Sequence, residues 1–197
     1  MIDQGATSVL LMGGSAGSLP VLMDLFAAFP ATSQAAVVLC LHTASRDSAN
    51  LCSVLGDRSV MPVREATEHA PVAPGTIHVA SGDYHLLIEQ DKTFALSYDD
   101  PVHYSRPSID VLFESAAEAF RDNALGVLLS GANQDGAAGL ARIQALGGTV
   151  VVQTPASAQA PQMPSAALAV LTPDMAESPC ELARYLRAWL ISEGAQE

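Results

Sequence analysis

The sequence predicts a doubly wound α/β fold, with a mostly parallel sheet, helices on both faces and an antiparallel hairpin insertion. Two patterns point to it. Short runs rich in Val, Leu and Ile alternate with amphipathic stretches, as in successive βαβ units. Hydrophobic residues make up 49% of the chain, charged residues 15% and aromatics 5%, a balance that suits strands buried on both faces. A chain of 197 residues can bury one good core and is short for two, so residues 1–197 read as a single domain.

The first strand is expected over Ser8–Met12, followed by a Gly-rich turn and a helix over Leu19–Ala28, with Ser18 as its cap and Pro20 in its first turn. A second strand, Ala36–Leu41, and a helix, Asp47–Leu55, follow. Thr76–Ala80, Tyr84–Glu89 and Thr93–Tyr98 alternate in strand fashion around a turn at Gln90–Lys92, and together read as the antiparallel insertion. Pro107 and Ser108 then open a helix whose apolar positions, Ile109, Leu112, Phe113, Ala116 and Phe120, recur at helical spacing. Strand Leu125–Leu129, loop Ser130–Asp135, helix Ala137–Leu146 and strand Thr149–Val152 complete another βαβ unit, with Gly147 and Gly148 ending the helix. Glu181–Ile191 reads as a surface helix.

Charge excludes several functions. Nine Lys and Arg stand against twenty-one Asp and Glu, a net charge of -12, which would repel a nucleic-acid backbone or an anionic membrane surface. The N-terminus lacks the basic region of a signal peptide, and its apolar stretch is broken by Gly13, Gly14, Gly17, Pro20 and Asp24. The expectation is a soluble cytosolic protein with no membrane insertion. Cys40, Cys52 and Cys180 are odd in number and widely spaced, so they read as buried thiols rather than a metal or redox pair. His69, His78, His85 and His103 show no ligand spacing, and no metal or cofactor is expected.

Three residues could carry chemistry. Gly13-Gly14-Ser15-Ala16-Gly17 fits G-x-S-x-G, a strand-to-helix turn whose small neighbours expose a serine hydroxyl. On its own the turn serves equally well for close packing or for holding a phosphate at a helix N-terminus. His42 directly follows the second strand, where a histidine could also simply bind a loop carbonyl. Asp135 closes the loop after another strand, and capping the helix that begins near Ala137 would account for it alone. Their convergence is the stronger signal: a hydroxyl, an imidazole and a carboxylate, each just past the carboxyl end of a strand, are the set that acyl transfer needs. The chain order Ser, His, Asp argues against the α/β-hydrolase fold, where the acid precedes the histidine.

Six separated motifs resemble the catalytic domain of the chemotaxis protein-glutamate methylesterases (CheB). They are Gly14-Ser15-Ala16-Gly17, Val37 to His42, Pro74 to Ala80, Arg106 to Phe113, Asp135 to Leu140 and Met163 to Ala167, and they span nearly the whole chain. The resemblance implies a doubly wound domain in which Ser15, His42 and Asp135 hydrolyse glutamyl methyl esters, and in some members deamidate glutamines, on the cytoplasmic helices of methyl-accepting chemoreceptors. Ala16, Ala132 and Met163 are candidates for the oxyanion hole or site lining, with core packing the alternative for Met163, and Arg106 is a candidate substrate-facing charge whose alternative is a solvated surface charge before a helix. Where the family usually has Thr after the nucleophile this chain has Ala16, and a Gly-Met-Gly stretch is replaced by Gly131-Ala132-Asn133. These departures motivate the alternative of an impaired domain that only binds receptors or signalling partners. Nothing before the first strand could hold a phospho-acceptor site, so no receiver domain is expected.

Overall fold

In the computed structural model, which describes residues 6–43 and 48–193, seven strands form one parallel sheet. Their order is β3 (Val63–Glu65), β4 (Ile77–Val79), β2 (Ala36–Leu41), β1 (Val9–Gly14), β7 (Ala124–Leu128), β8 (Thr149–Gln153) and β9 (Met175–Glu177). All six pairings are parallel. A separate antiparallel hairpin joins β5 (His85–Ile88) to β6 (Phe94–Ser97). The predicted architecture is therefore the observed one, with one correction. The run Thr76–Ala80, read as part of the insertion, belongs as β4 to the main sheet, parallel to both β2 and β3. Alternation alone cannot tell a hairpin strand from a buried parallel one.

Side-chain alternation along the central strands feeds two cores. Leu10 and Met12 of β1 with Val37, Leu39 and Leu41 of β2 face α1 (Leu19–Ala28), α2 (Ser48–Gly56) and α6 (Pro179–Glu193). Val9 and Leu11 with Ala36, Val38 and Cys40 face α3 (Ile109–Phe120), α4 (Ala137–Ala145), α5 (Gln162–Val170) and the hairpin. Every residue of β1, β2 and β7 is buried. This is why these strands read as continuous apolar runs.

The helix ends follow local chemistry, sometimes by a different route from the expected one. At the end of α4, Gly147 takes φ +90, its N–H donates to the Gln144 carbonyl and that of Gly148 to Ile143, the double bond of a Schellman stop. Ser18 does precede α1, but its hydroxyl caps no N–H of that helix and instead donates to the Ser15 carbonyl at 2.7 Å. The start expected for α2 at Asp47 lies outside the described residues. β3, α5 and β9 had no counterpart in the sequence reading. β3 and β9 are three-residue edge strands without a period to detect, and Pro164 masks α5 although proline fits a first helical turn. Of the cysteines, Cys40 is buried, Cys52 partly so, and Cys180 is exposed, contrary to expectation.

Candidate active site

The switch in strand order around β1 gathers the carboxyl ends of β1, β2 and β7, and open α/β sheets assemble their sites at such a point. In register with this, the chain just after β1 is bound on both sides. The Ser15 N–H donates to the Ser130 carbonyl at 2.9 Å, and the His42 N–H donates to the Gly14 carbonyl at 3.0 Å. Gly17, at φ +79, turns the chain into α1. Ser130 is fully buried, and its hydroxyl donates to the Ala16 carbonyl at 2.7 Å while accepting from the Ala160 N–H at 2.9 Å. Ser15, half-buried between these loops, sits on a turn stitched to its neighbours from both sides.

Asp135 is wholly buried, and its Oδ2 lies 2.8 Å from His42 Nε2. The contact is short, although the ring N–H points off the line joining the two atoms and makes no linear hydrogen bond. The carboxylate also accepts from the Ser108 hydroxyl at 2.8 Å, the Ile109 N–H at 2.7 Å and the Asp110 N–H at 3.0 Å. Asp135 thus caps the N-terminus of α3, a helix distant in sequence, and not the one that follows it, whose N-cap position is Gly136 at φ +94, a residue with no side chain to cap it. Burial alone would raise its pKa, but His42 and the donors at the start of α3 outweigh that and hold it below the ordinary value. The carboxylate is therefore ionised at neutral pH. Beneath it the Cys40 thiol is pushed well up, by burial and by the Asp135 charge, and stays protonated.

A second carboxylate returns the contact. Asp110, in the first turn of α3, accepts from the Gly136 N–H at 2.9 Å and the Gly139 N–H at 2.7 Å, capping α4. Each of two crossed helices is capped by an Asp belonging to the other's approach. Burial raises the Asp110 pKa; the Gly139 N–H lowers it, the Asp135 charge adds to the rise, and the outcome is about 6. His103 approaches Asp110 with Nε2 at 3.4 Å and Gln134 with Nδ1 at 3.5 Å. His103, Asp110 and Gln134 line one end of a cavity of about 570 Å³ walled by Ala137, Ala138 and Ala141 of α4 and by residues of α5.

The other nitrogen of His42, Nδ1, stands 3.3 Å from the Ser105 hydroxyl. Among the described residues no hydrogen bond joins the Ser15 hydroxyl to His42. Sequence reasoning missed Ser105, Ser108, Asp110 and Ser130. It also missed His85, whose Nδ1 accepts from the Ser108 N–H at 3.1 Å and whose Nε2 meets the Asp100 carbonyl at 3.2 Å. A buried histidine at the head of the apolar strand β5 was the available signal.

Ala16 and Ala132 are both exposed on the turns after β1 and β7, and among the described residues neither N–H has a protein partner. Met163 is fully buried and does not line the site surface; its N–H donates to the Gly131 carbonyl, and its side chain fills the space where a Gly131 Cβ would fall. It supports the 130–136 loop from below. Arg106 turns its guanidinium back onto the Tyr98 ring, 3.9 Å from the centroid, and donates to the Tyr98 and Asp99 carbonyls. That makes it a clamp on the chain entering α3.

The profile of the CheB methylesterase family matches residues 10–186. The chain belongs to the CheB methylesterase family. A Leptospira interrogans protein proposed to be a protein-glutamate methylesterase/protein-glutamine glutaminase is 38% identical over 165 residues, covering 84% of this chain and 86% of that protein. The Anaeromyxobacter dehalogenans protein-glutamate methylesterase/protein-glutamine glutaminase 3 is 36% identical over 183 residues, 92% of this chain and 54% of its own length. The crystal structure of the Thermotoga maritima CheB methylesterase catalytic domain superposes with a TM-score of 0.88 at 25% identity, covering 92% of this chain and 98% of that one. The CheB fold assigned from the sequence motifs is thus the fold observed, hairpin included.

Proposed function

We propose that this CheB-family chain is a serine hydrolase that removes methyl esters from glutamate side chains of methyl-accepting chemoreceptors, and that it also deamidates receptor glutamines. The observation that carries the reading is the buried, ionised Asp135 set 2.8 Å from His42 at the strand ends where Ser15 is presented. Beside an anionic carboxylate the imidazole keeps its proton on Nε2, which leaves Nδ1 as the lone-pair nitrogen. Nδ1 takes the Ser15 proton as Oγ attacks the ester carbonyl carbon, then returns that proton to the departing methoxide, releasing methanol. Water, activated by the same nitrogen, cleaves the acyl-enzyme and regenerates Ser15. The N–H groups of Ala16 and Ala132 are the proposed oxyanion donors, and because they are backbone groups the loss of family side chains at both positions leaves them in place.

No helix among the described residues is long and apolar enough to cross a membrane, and the proposed setting is the cytoplasm, where the receptors' signalling helices lie. Residues 1–197 act as one catalytic domain in this reading, without a metal or cofactor. A protein substrate is selected by contacts remote from the ester, so the reading is tested by comparing kcat/KM for a methylated receptor fragment and for a small glutamate methyl ester, scored by methanol release. The receptor fragment should be strongly preferred. Preferential cleavage of the small ester would contradict this, and absence of methanol from both would leave only the binding domain.

A further inference from the structure

We propose that Ser105 is a positioning residue that holds the base nitrogen of His42 and yields it to Ser15 when substrate arrives. The inference rests on the Ser15–His42–Asp135 reading and starts from the tautomer. With ionised Asp135 beside Nε2, Nδ1 carries the lone pair, and a hydroxyl 3.3 Å from it can only donate. Nδ1 is also the nitrogen that must accept the Ser15 proton. Two serines therefore compete for one acceptor, and Ser105 is the one that reaches it, at 3.3 Å.

The segment bearing Ser105 is built to shift. Val102 and Ser105 close a tight turn through two backbone hydrogen bonds of 3.1 and 2.8 Å. Its central residues, His103 at φ +48 and Tyr104 at φ +62, occupy the left-handed region that Asn-Gly usually supplies in such turns. Non-glycine residues are held there only against strain. The contacts that hold them are long: His103 to Asp110 at 3.4 Å, to Gln134 at 3.5 Å, and its carbonyl to the Asn133 amide at 3.4 Å. By comparison, all three donors to Asp135 lie within 3.0 Å. At the tip the Tyr104 side chain is fully exposed, which places a large apolar ring on the solvent side of the turn, where a protein substrate entering the site meets it first. Pressure on Tyr104 and release of Ser105 are movements of the same four-residue turn. The Asp135 carboxylate beneath it is held by other groups, the Ser108 hydroxyl and the first N–H groups of α3.

The test uses a fluorophosphonate, which reacts with the activated serine whatever the natural ester is, and locates the label by peptide mass. Three outcomes support the proposal together. Ser105→Ala should label Ser15 about three- to tenfold faster than wild type, the competition of one neutral hydrogen bond having been removed. Ser105→Thr, which keeps the hydroxyl, should return the wild-type rate. The kcat advantage of a receptor fragment over a small ester should shrink in Ser105→Ala, because small esters no longer have to displace the hydroxyl. Equal or slower labelling of Ser105→Ala, with thermal unfolding unchanged, would overturn the proposal, and label on Ser105 itself would make that residue the nucleophile instead. Failure of Ser15 to label in every form would overturn this proposal and the serine-hydrolase reading with it. Labelling that follows the predicted order without methanol release from receptors would sink only the choice of substrate.

Discussion

Asp135 does two jobs with one carboxylate, and they separate in a mutant. It sits against His42 and also takes three donors at the start of α3. In Asp135→Asn the amide nitrogen turns a donor toward groups that are themselves donors, so kcat should fall by about 10³–10⁴-fold and stability by roughly 1–3 kcal/mol. Thermal unfolding and ester turnover measured on the same sample separate the two. Lost stability with retained turnover would reduce Asp135 to a helix cap. The two carboxylates also pull stability in opposite directions with pH. Asp135, held low, contributes stability above the ordinary carboxylate range that is lost as pH falls through its depressed value. Asp110, raised from 3.8 to about 6, binds its proton more tightly folded than unfolded, so its ionisation costs stability as pH rises from 3.8 through about 6. Asp110→Asn keeps an oxygen acceptor for Gly136 and Gly139 and cannot ionise. It should unfold later than wild type above pH 6, by roughly 1–3 kcal/mol, with the gain gone below pH 4. A gain independent of pH would contradict this assignment. In the sequence, Ser15, His42 and Asp135 stand out as candidates because each lies just past an apolar run. Ser108 was read only as the opening of a helix and Asp110 was given no role, since a cap across two helices distant in sequence leaves no local trace.

At the level of elements, the site depends on how closely α3 approaches the β7–α4 connection. Gly136 makes the turn at φ +94, and a Cβ there would come within 2.6 Å of Leu128 and 2.7 Å of Ile109, the residue whose N–H reaches Asp135. Gly136→Ala should therefore cost about 2 kcal/mol or more, from backbone strain and from moving the start of α3. Turnover should fall further than the loss of folded protein explains. Denaturant unfolding and active-site titration measure the two quantities, and loss of stability alone would show that the α3 start tolerates displacement. Elements with a period or a punctuating glycine were readable, as the α4 stop at Gly147 and Gly148 shows. The short edge strands β3 and β9 carry no period. β4 was read as a strand but given the wrong partner, because pairing is decided by tertiary placement and not by alternation.

Across the whole molecule, the net charge of -12 governs encounter more than chemistry. An acidic domain meeting an acidic receptor helix gains nothing from long-range attraction, so kcat/KM on a receptor fragment should hold steady or rise as salt screens the repulsion. A steep fall between low and physiological salt would reveal a local basic docking patch that the charge balance conceals. Fold class was legible at this scale because strands buried on both faces leave a composition as well as a pattern. The most direct test of the central claim is methanol release from a methylated receptor fragment by wild type, Ser15→Ala and His42→Ala, each shown to be folded by thermal unfolding. Wild type should release methanol, and neither variant should do so above background. Release by folded Ser15→Ala at a rate near wild type would contradict the claim.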